Sequence, residues 1–373
     1  MMMLRIAAVL LFLLSACEAP APTTAPNPTS NYLNEQMGSA PAPGFARADA
    51  PRDFTFPRDH GAHPEFATEW WYFTGNLYDD EERRFGYQLT LFRIGLEAGR
   101  PAEDSSWRAN QIYMGHFAIS DVANAQHFSS ERFSRAAAGL AGANNPPLEV
   151  WLGPWSIRGG DAGLFPLQLT AATADMEIAL TLRAGDRARV LQGEDGLSRK
   201  SAQPGNASYY YSYTRLPTLG SLRIGPQHFS VTGNSWFDRE WSSSALAPDQ
   251  AGWDWFALQL EDGHDLMYYR MRDLQGRAQA FSSGTLILPD GSTQSLSPES
   301  VELTPVRYWR SDRGTRYPVA WRMAVPDHGM DLLIEAAFDD QHMPLTVEYW
   351  EGAVDVSGNR RGVGYLELSG YSR

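Results

Sequence analysis

The sequence is short of cysteine, of lysine and of positive charge in general. Cysteine occurs once, at Cys17, so no internal disulfide can form. Lysine also occurs once, at Lys200, and nearly all of the positive charge is arginine, a pattern typical of biased genome composition. The net charge of −13 provides no basic excess for binding phosphates, so nucleic acid is not an expected partner.

The chain also lacks a hydrophobic run long enough to cross a membrane as a helix. The apolar run from Ile6 to Leu14 is well below the roughly 20 residues that such a helix needs. It leads into Leu14-Ser15-Ala16-Cys17, which resembles a bacterial lipoprotein signal with its lipobox. Residues 1–17 are therefore predicted to be a lipoprotein signal peptide with Cys17 as the acylated residue. A plain signal peptide with an incidental cysteine is the alternative.

An acylated Cys17 predicts a protein of the bacterial cell envelope, anchored in a membrane by its N-terminus and facing the periplasm. Residues 18–52 are dominated by Ala, Pro, Thr, Ser and Asn and show no periodicity. This composition predicts a disordered tether between the anchor and a globular body.

Aromatic residues are abundant instead, with 12 tryptophans in the chain. Four aromatics follow one another from Trp70 to Phe73, at the start of a segment that reads as a strand. Trp70 and Tyr72 are expected on one face of this strand, with Trp71 and Phe73 on the other. Both faces must therefore be covered, as in a barrel with a second layer or with an apolar ligand in its lumen.

From Thr68 onward, short apolar segments alternate with turn residues, and no convincing amphipathic helix of about ten residues is present. Residues 70–79 align without gaps on residues 253–262, with Trp, Phe, Leu and Asp recurring at matching positions. This internal repeat predicts two similar β-barrels in tandem, with a junction between about Arg223 and Ser244.

The junction contains two acids and an arginine between two tryptophans, in the segment from Trp236 to Trp241. In an extended segment Asp238 and Glu240 share one face. This arrangement suits either an arginine–carboxylate network or a general acid in an apolar pocket. Both interpretations stay open at this point.

Two kinds of hydrolytic site are not favoured by the sequence. The segment Gly233-Asn234-Ser235-Trp236-Phe237 lacks the second glycine of a serine-hydrolase elbow. His60, His63 and Glu65 are closely spaced, but their spacing matches no zinc geometry, so no metal is expected. We expect these three residues at the seam between the domains, with the histidines bonded to backbone or to Glu69.

Three separated motifs resemble the AttH-like, carotenoid 1,2-hydratase-like family of lipocalin-like proteins, whose secreted bacterial members are often called predicted secreted hydrolases. They are His60 to Glu65 with Glu69 to Leu77, then Trp236 to Trp241, then Tyr349 to Gly352 with Gly364 to Tyr371. The resemblance covers about Phe54 to Tyr371. It implies a mainly β fold of two tandem lipocalin-like β-barrel domains, which we place at residues 53–233 and 234–373.

The resemblance does not fix one function. The family includes hydratases that add water to an isoprenoid double bond, enzymes acting on other apolar molecules, and members encoded with ABC-type export systems. We expect a cavity that binds a hydrophobic small molecule or lipid, with a link to an ABC-type exporter implied by the resemblance. The alternative is a hydro-lyase that acts on an isoprenoid-type alkene by acid catalysis.

Ligand binding and hydro-lyase activity both need an aromatic cavity, and the hydro-lyase also needs a proton donor. No cofactor is expected for either. The predicted ligand-binding residues are Trp70, Trp71, Tyr72, Trp236, Trp241, Trp253 and Trp255. The candidate proton donors, each beside a tryptophan, are Asp238, Glu240, Asp254 and Glu69.

Replacing Cys17 by serine tests the predicted anchor. The wild-type protein should fractionate with membranes, because several acyl chains bind a bilayer far more firmly than one. The Cys17→Ser variant should be soluble or remain unprocessed, as judged by fractionation and intact mass. A wild-type protein that is wholly soluble after lysis would contradict the lipobox interpretation.

Overall fold

The computed structural model describes residues 43–99, 109–244 and 246–371, and these form two antiparallel β-sheets. Short turns of 3₁₀ helix interrupt the strands at Arg58–His60, Pro298–Ser300 and Pro326–His328. Within these ranges, no helix is long and apolar enough to cross a membrane. The signal peptide and Cys17 lie outside the described residues.

The first sheet has 13 strands. They are β1 (Thr68–Tyr78), β2 (Arg84–Gly95), β3 (Gln111–Asp121), β4 (Gln126–Arg135), β5 (Ala141–Asn144), β6 (Glu149–Leu152), β7 (Trp155–Gly160), β8 (Gly163–Ala172), β9 (Met176–Leu182), β10 (Val190–Leu191), β11 (Leu197–Arg199), β12 (Ala207–Ile224) and β13 (Gln227–Ser242). Their spatial order is β4-β3-β2-β1-β13-β12-β9-β8-β7-β6-β5, and β10 and β11 both pair with β12.

The second sheet has 10 strands. They are β14 (Gln250–Leu260), β15 (Asp265–Asp273), β16 (Ser283–Ile287), β17 (Thr293–Leu296), β18 (Glu302–Arg310), β19 (Arg316–Val325), β20 (Met330–Ala336), β21 (His342–Met343), β22 (Tyr349–Gly358) and β23 (Gly362–Ser369). Their order is β17-β16-β15-β14-β23-β22-β20-β19-β18, with β21 pairing with β22.

The two sheets repeat one topology. In each sheet the first strand lies between the second strand and the last one, so β1 contacts β2 and β13, and β14 contacts β15 and β23. These two first strands are the segments that align in the sequence. The mainly β fold with two lipocalin-like, barrel-like units is therefore confirmed.

The chain passes from the first sheet to the second later than predicted. Strand β13 pairs with both β1 and β12 along its length and belongs entirely to the first sheet. A division between residues 233 and 234 would cut through this strand. The crossing lies between Ser242, the end of β13, and Gln250, the start of β14.

The last part of the predicted tether is packed against the first sheet. Ala48 is fully buried, and the backbone N–H of Ala46 donates to the carbonyl of Glu65 at 2.8 Å. Arg52 forms a salt bridge with Asp59 at 2.9 Å. Residues 43–52 are thus part of the folded body, because their small apolar and charged side chains find partners that composition alone does not reveal.

Successive side chains of the first strand in each sheet point to opposite faces, and this alternation separates three apolar clusters. Trp71 and Phe73 of β1 lie in the core of the first unit, whereas Tyr72 lies in a cluster between the two sheets. In β14, Phe256 packs in the core of the second unit and Trp255 in the cluster between the sheets. We call this intervening region the seam.

A buried charge network fixes the start of β1. Glu69 is fully buried and forms salt bridges with Arg93 and Arg239. The backbone N–H of His63 lies 3.0 Å from both carboxylate oxygens. Burial alone would raise the pKa of Glu69, but the two guanidinium groups outweigh it and hold this pKa well below its usual range. Glu69 is therefore a structural anion.

The histidines predicted for the domain seam belong to this network within the first unit. The ring of His63 stacks on Trp241 at 3.9 Å and lies 3.2 Å from Asp59. His60 hydrogen-bonds with Tyr211 at 2.7 Å. Glu65 is exposed and lies 3.8 Å from Arg58. Their contacts are thus within the N-terminal unit rather than between the two sheets.

Replacing Glu69 by glutamine should destabilise the fold by about 3–5 kcal/mol, because two buried guanidinium groups lose their counter-ion. Urea unfolding of Glu69→Gln, with the exposed Glu65→Gln as control, measures this loss. Since the folded pKa of Glu69 is depressed, its contribution is present above the unfolded pKa and is lost as the pH falls. Equal stability of the two variants would show that the negative charge of Glu69 does not stabilise the fold.

Candidate active site

A cavity of about 190 Å³ lies in the seam, and both sheets contribute to its walls. Its apolar lining is largely aromatic. The rings come from Trp70, Tyr72 and Phe92 in the first sheet and from Trp253, Trp255 and Tyr269 in the second. The rings of Tyr72 and Trp255, which are equivalent in the sequence repeat, meet edge to face at 5.2 Å.

Strand register places several side chains in and beside this cavity in two matching rows. Along each row, directly opposite residues of neighbouring strands present their side chains on the same face. The row of the first sheet is His116, Thr90, Tyr72, Asp238 and Ser212. The row of the second sheet is Ser283, Tyr269, Trp255, Glu367 and Glu351.

The two rows place carboxyl groups at equivalent positions. Asp238 stands opposite Tyr72 in the first sheet, as Glu367 stands opposite Trp255 in the second. A direct bond joins the rows, since the hydroxyl of Tyr72 donates to Oε1 of Glu351 at 2.5 Å. The acids of both sheets are thereby brought to one cavity.

Asp238 is buried and forms no salt bridge with any of the described residues. Its Oδ1 accepts from Ser212 at 2.5 Å and from Trp236 Nε1 at 2.6 Å, and its Oδ2 accepts from Tyr210 at 2.5 Å. Burial raises the pKa of Asp238 to about 7, although these three hydrogen bonds oppose the shift. At neutral pH this carboxyl can therefore either give or take a proton.

Glu351 and Glu367 form a pair of neighbouring acids. They stand directly opposite each other on β22 and β23, where Glu351 is buried and Glu367 is half-buried. Burial and the neighbouring charge of Glu367 raise the pKa of Glu351 well above its usual range. Burial also raises the pKa of Glu367, to about 7, against the hydrogen bond donated by Trp253 Nε1 at 2.8 Å. The pair therefore holds at least one proton at neutral pH.

Glu240 has a different environment in the same cavity. Its carboxylate lies 3.3 Å from the ammonium of Lys200 and accepts a hydrogen bond from Ser208. Burial disfavours the charged form of Lys200, but the Glu240 carboxylate outweighs this effect and raises the pKa of the lysine. The ammonium also lies 4.1 Å from the ring centroid of Tyr269. Glu240 is thus the ion-pair partner of the single lysine.

Asp254 does not reach the cavity. It alternates with Trp253 and Trp255 along β14 and so points to the opposite face, into the second unit. There it pairs with Arg270 at 2.7 Å and Arg272 at 3.2 Å. Its position beside two tryptophans in sequence places it on the other side of the strand from them.

The predicted ligand-binding aromatic residues also divide between those that line the cavity and those that point away from it. Trp70, Tyr72, Trp253 and Trp255 line the cavity. Trp236 lies in the seam cluster behind Asp238, to which its indole N–H donates. Trp71 and Trp241 belong to the core of the first unit. Of the candidate donors, Glu69, Asp238 and Glu240 contribute to the cavity lining.

Several cavity residues were not predicted from the sequence. They are Glu351, Glu367, Lys200, Gln88 and His116, with the tyrosines Tyr210, Tyr269 and Tyr349. One sequence signal could have found the two glutamates, since both lie in the third family motif, Tyr349 to Gly352 with Gly364 to Tyr371.

No cluster of metal-ligating side chains occurs in the described parts of the chain. The chemistry available to this arrangement is proton transfer between carboxyl groups in an apolar, aromatic enclosure. Such an enclosure keeps acids protonated near neutral pH and can stabilise a developing cation over ring faces.

The comparisons with known proteins agree with this architecture. A family model described as AttH-like matches residues 47–371. The chain is similar to the crystal structure of an AttH protein from Nitrosomonas europaea, with 33% identity and a TM-score of 0.79 over 88% of this chain and 100% of that one. No curated protein sequence matches the chain.

Two more distant structures share the fold. Kievitone hydratase from Nectria haematococca is 16% identical with a TM-score of 0.65, over 90% of this chain and 98% of that one. CghA, solved with Sch210972, is 12% identical with a TM-score of 0.53, over 91% of this chain and 98% of that one. At these identities the likeness concerns the fold alone.

The raised pKa of Asp238 predicts a pH-dependent stability. Its stabilising contribution is full below the ordinary value of 3.8 and is lost as the pH rises through the folded pKa of about 7. The Asp238→Asn variant should therefore lose less stability than wild type between about pH 4 and pH 7, as measured by urea unfolding. Asp161→Asn, on an exposed turn, serves as control and should follow wild type. If the free energy of unfolding changed with pH in the same way for wild type and Asp238→Asn, the raised pKa of Asp238 would be contradicted.

Proposed function

The chain belongs to the AttH-like family, and from this premise we propose that it binds an apolar molecule in the seam cavity and adds or removes water at an alkene by acid catalysis. The observation that carries the proposal is the set of three carboxyl groups, the buried Asp238 and Glu351 and the half-buried Glu367, that share an aromatic cavity and lack cationic partners among the described salt bridges. Adding water to an alkene needs a proton donor that is still protonated at working pH.

The burial of these groups argues against a purely passive cavity. Burying a carboxylate is costly unless it is both paired with a cation and hydrogen-bonded, and these three groups have hydrogen bonds but no salt bridge within the described residues. A cavity that only accommodates an apolar molecule gains nothing from three such groups. Strongly shifted pKa values that cluster in one cavity are instead typical of acid–base catalysis.

The glutamate pair is the proposed proton donor. One proton passes from the Glu351–Glu367 pair to an alkene carbon, and the π electrons form the new C–H bond. The resulting cation faces the rings of Tyr72 and Trp255, whose π electrons stabilise positive charge. The shared proton is available because the two acids cannot both ionise easily side by side.

Asp238 is the proposed base. A water molecule attacks the cationic carbon, and Asp238 in its carboxylate form accepts a proton from that water as the C–O bond forms. Transfer of one proton from Asp238 back to the glutamate pair completes the cycle and leaves the catalyst unchanged. Glu367 is close enough to be influenced by the charge of Asp238, which supports a shared site. The reverse sequence removes water from an alcohol.

A structural neighbour supports this class of reaction by analogy of fold. Kievitone hydratase is named as a hydratase and has the same two-sheet architecture over 90% of this chain. Fold alone does not determine function, so the proposal depends on the acids of the cavity.

A passive carrier of a lipid or isoprenoid-like molecule is the second candidate. The apolar wall formed by Trp70, Trp253 and Trp255 favours it. In either case we propose that an acylated Cys17 holds the protein at the periplasmic side of the cell envelope. An ABC-type export system is then the proposed partner that delivers or removes the ligand.

Incubation with geraniol or farnesol in ¹⁸O-labelled water tests the proposed reaction. Mass spectrometry should detect products heavier by one labelled water with wild type, and formation should fall at least about 10²-fold in Asp238→Asn and in Glu351→Gln. Asp161→Asn should retain activity.

Ligand binding decides between the two candidates. Native mass spectrometry and quenching of tryptophan fluorescence report binding without turnover. Bound isoprenoid without labelled product would support the carrier and contradict the hydro-lyase. A lack of any binding to either alcohol would contradict both.

A further inference from the structure

Four residues that line the cavity each have a buried side-chain atom without a hydrogen-bond partner within the described part of the chain. One is Arg93, whose guanidinium is held by Glu69 within the first unit. The other three atoms are Oε1 of Gln88, Nε2 of His116 and Oε2 of Glu351. All three residues line the cavity, and each is at most 2% exposed. Buried polar atoms in native proteins are nearly always paired, so three unpaired atoms in one cavity need a common explanation.

In each of these side chains the other polar atom is already bonded. Gln88 Nε2 donates to Thr90 Oγ1 at 2.6 Å, and His116 Nδ1 lies 2.8 Å from the hydroxyl of Tyr349. Glu351 Oε1 accepts from Tyr72 at 2.5 Å. The bonded atom fixes the orientation of the side chain, which leaves the second atom positioned but unused.

Strand positions bring the three groups to the same side of the seam. Gln88 precedes Thr90 by two residues on β2, and Thr90 is opposite His116 on β3. The bond from His116 to Tyr349 reaches strand β22, where Glu351 lies two residues further along the same face. The three unused atoms therefore belong to one polar corner, built by β2, β3 and β22.

The three atoms together offer hydrogen-bond donors and an acceptor to a ligand. Gln88 Oε1 can only accept a hydrogen bond. Burial raises the pKa of Glu351 well above its usual range, against hydrogen bonds from Tyr72 and Tyr349. Since Oε1 accepts from Tyr72, a protonated Glu351 can use Oε2 to donate to a ligand. Burial lowers the pKa of His116 to about 3, so its ring is neutral and Nε2 donates or accepts according to its tautomer. A hydroxyl group satisfies both a donor and an acceptor, and a carbonyl oxygen satisfies the donors.

We propose that the ligand of the seam cavity is an oxygenated apolar molecule whose hydroxyl or carbonyl oxygen is bound by Gln88, His116 and Glu351. The inference rests on the proposed function for the apolar nature of the ligand, and it narrows the substrate class. A pure hydrocarbon leaves all three atoms unpaired, so it is a poor ligand. Gln88 and His116 act as specificity residues.

Three probes with one carbon skeleton test the proposal, namely farnesol, farnesal and farnesene. Their binding is followed by quenching of tryptophan fluorescence, since Trp70, Trp253 and Trp255 line the cavity. Wild type should bind the alcohol or the aldehyde at least about tenfold more tightly than the hydrocarbon. Hydrophobicity alone predicts the opposite order, because farnesene is the least soluble of the three in water.

Two variants assign the preference to the polar corner. Gln88→Leu and His116→Phe should each lower the affinity for farnesol while the affinity for farnesene stays the same or increases. His127→Phe is the matched control, because His127 is a second histidine with both ring nitrogens partnered, by Ser120 and Met343, and it does not line the cavity. It should keep the wild-type preference, and melting curves should confirm that all three variants are folded.

The outcomes separate this inference from the proposed reaction. Equal or tighter binding of farnesene by wild type overturns the inference, as expected if water fills the corner, and leaves the hydration chemistry standing. Retention of the full preference in both corner variants also overturns it, as does a lack of binding of all three probes. Loss of labelled-water addition alone, with the preference intact, overturns the hydro-lyase and leaves the inference in place.

Discussion

Burial of carboxyl groups between two apolar sheets is the constraint on which the rest of this structure depends. A carboxyl group out of water must be paired, hydrogen-bonded or protonated. Glu69 and Asp254 follow the first route, with two arginines each. Asp238 and Glu351 form no salt bridge in the part of the chain that the structure describes, and burial raises their pKa values. The same chemical group therefore serves as a structural anion within each unit and as an acid between the units.

The repeated topology explains why the acids meet. Each sheet presents the same face of its first and last strands to the other, so equivalent positions of the two repeats converge on one cavity. Asp238 and Glu367 occupy such equivalent positions, and so do Tyr72 and Trp255. The two units thus present related rows of side chains that carry different acids and different hydrogen-bond donors.

The sequence predicted the fold well because the fold depends on local patterns. Strand periodicity, the repeat of residues 70–79 at 253–262 and the family motifs all describe segments that are continuous in the chain. The division between the two units was placed too early, because strand pairing, which assigns β13 to the first sheet, involves residues far apart in the sequence.

The site was predicted only in part, for two physical reasons. Adjacent residues of a strand lie on opposite faces, so Asp254 and Trp71 point away from the seam although their neighbours line it. The remaining contacts cross the whole chain. The bond from Tyr72 to Glu351 joins residues 279 positions apart, and no local pattern reveals it. Whether a carboxyl is ionised depends on such contacts, which is why nearness to tryptophan could not separate Asp238 from Glu69.

The central claim is that the seam keeps carboxylic acids protonated at neutral pH. Infrared spectroscopy of protein with ¹³C-labelled glutamate side chains tests it most directly, because protonated and ionised carboxyl groups absorb at different frequencies. The account predicts a band of protonated glutamic acid at pH 7 that is absent from the double variant Glu351→Gln, Glu367→Gln. A wild-type spectrum at pH 7 with carboxylate bands alone would contradict it.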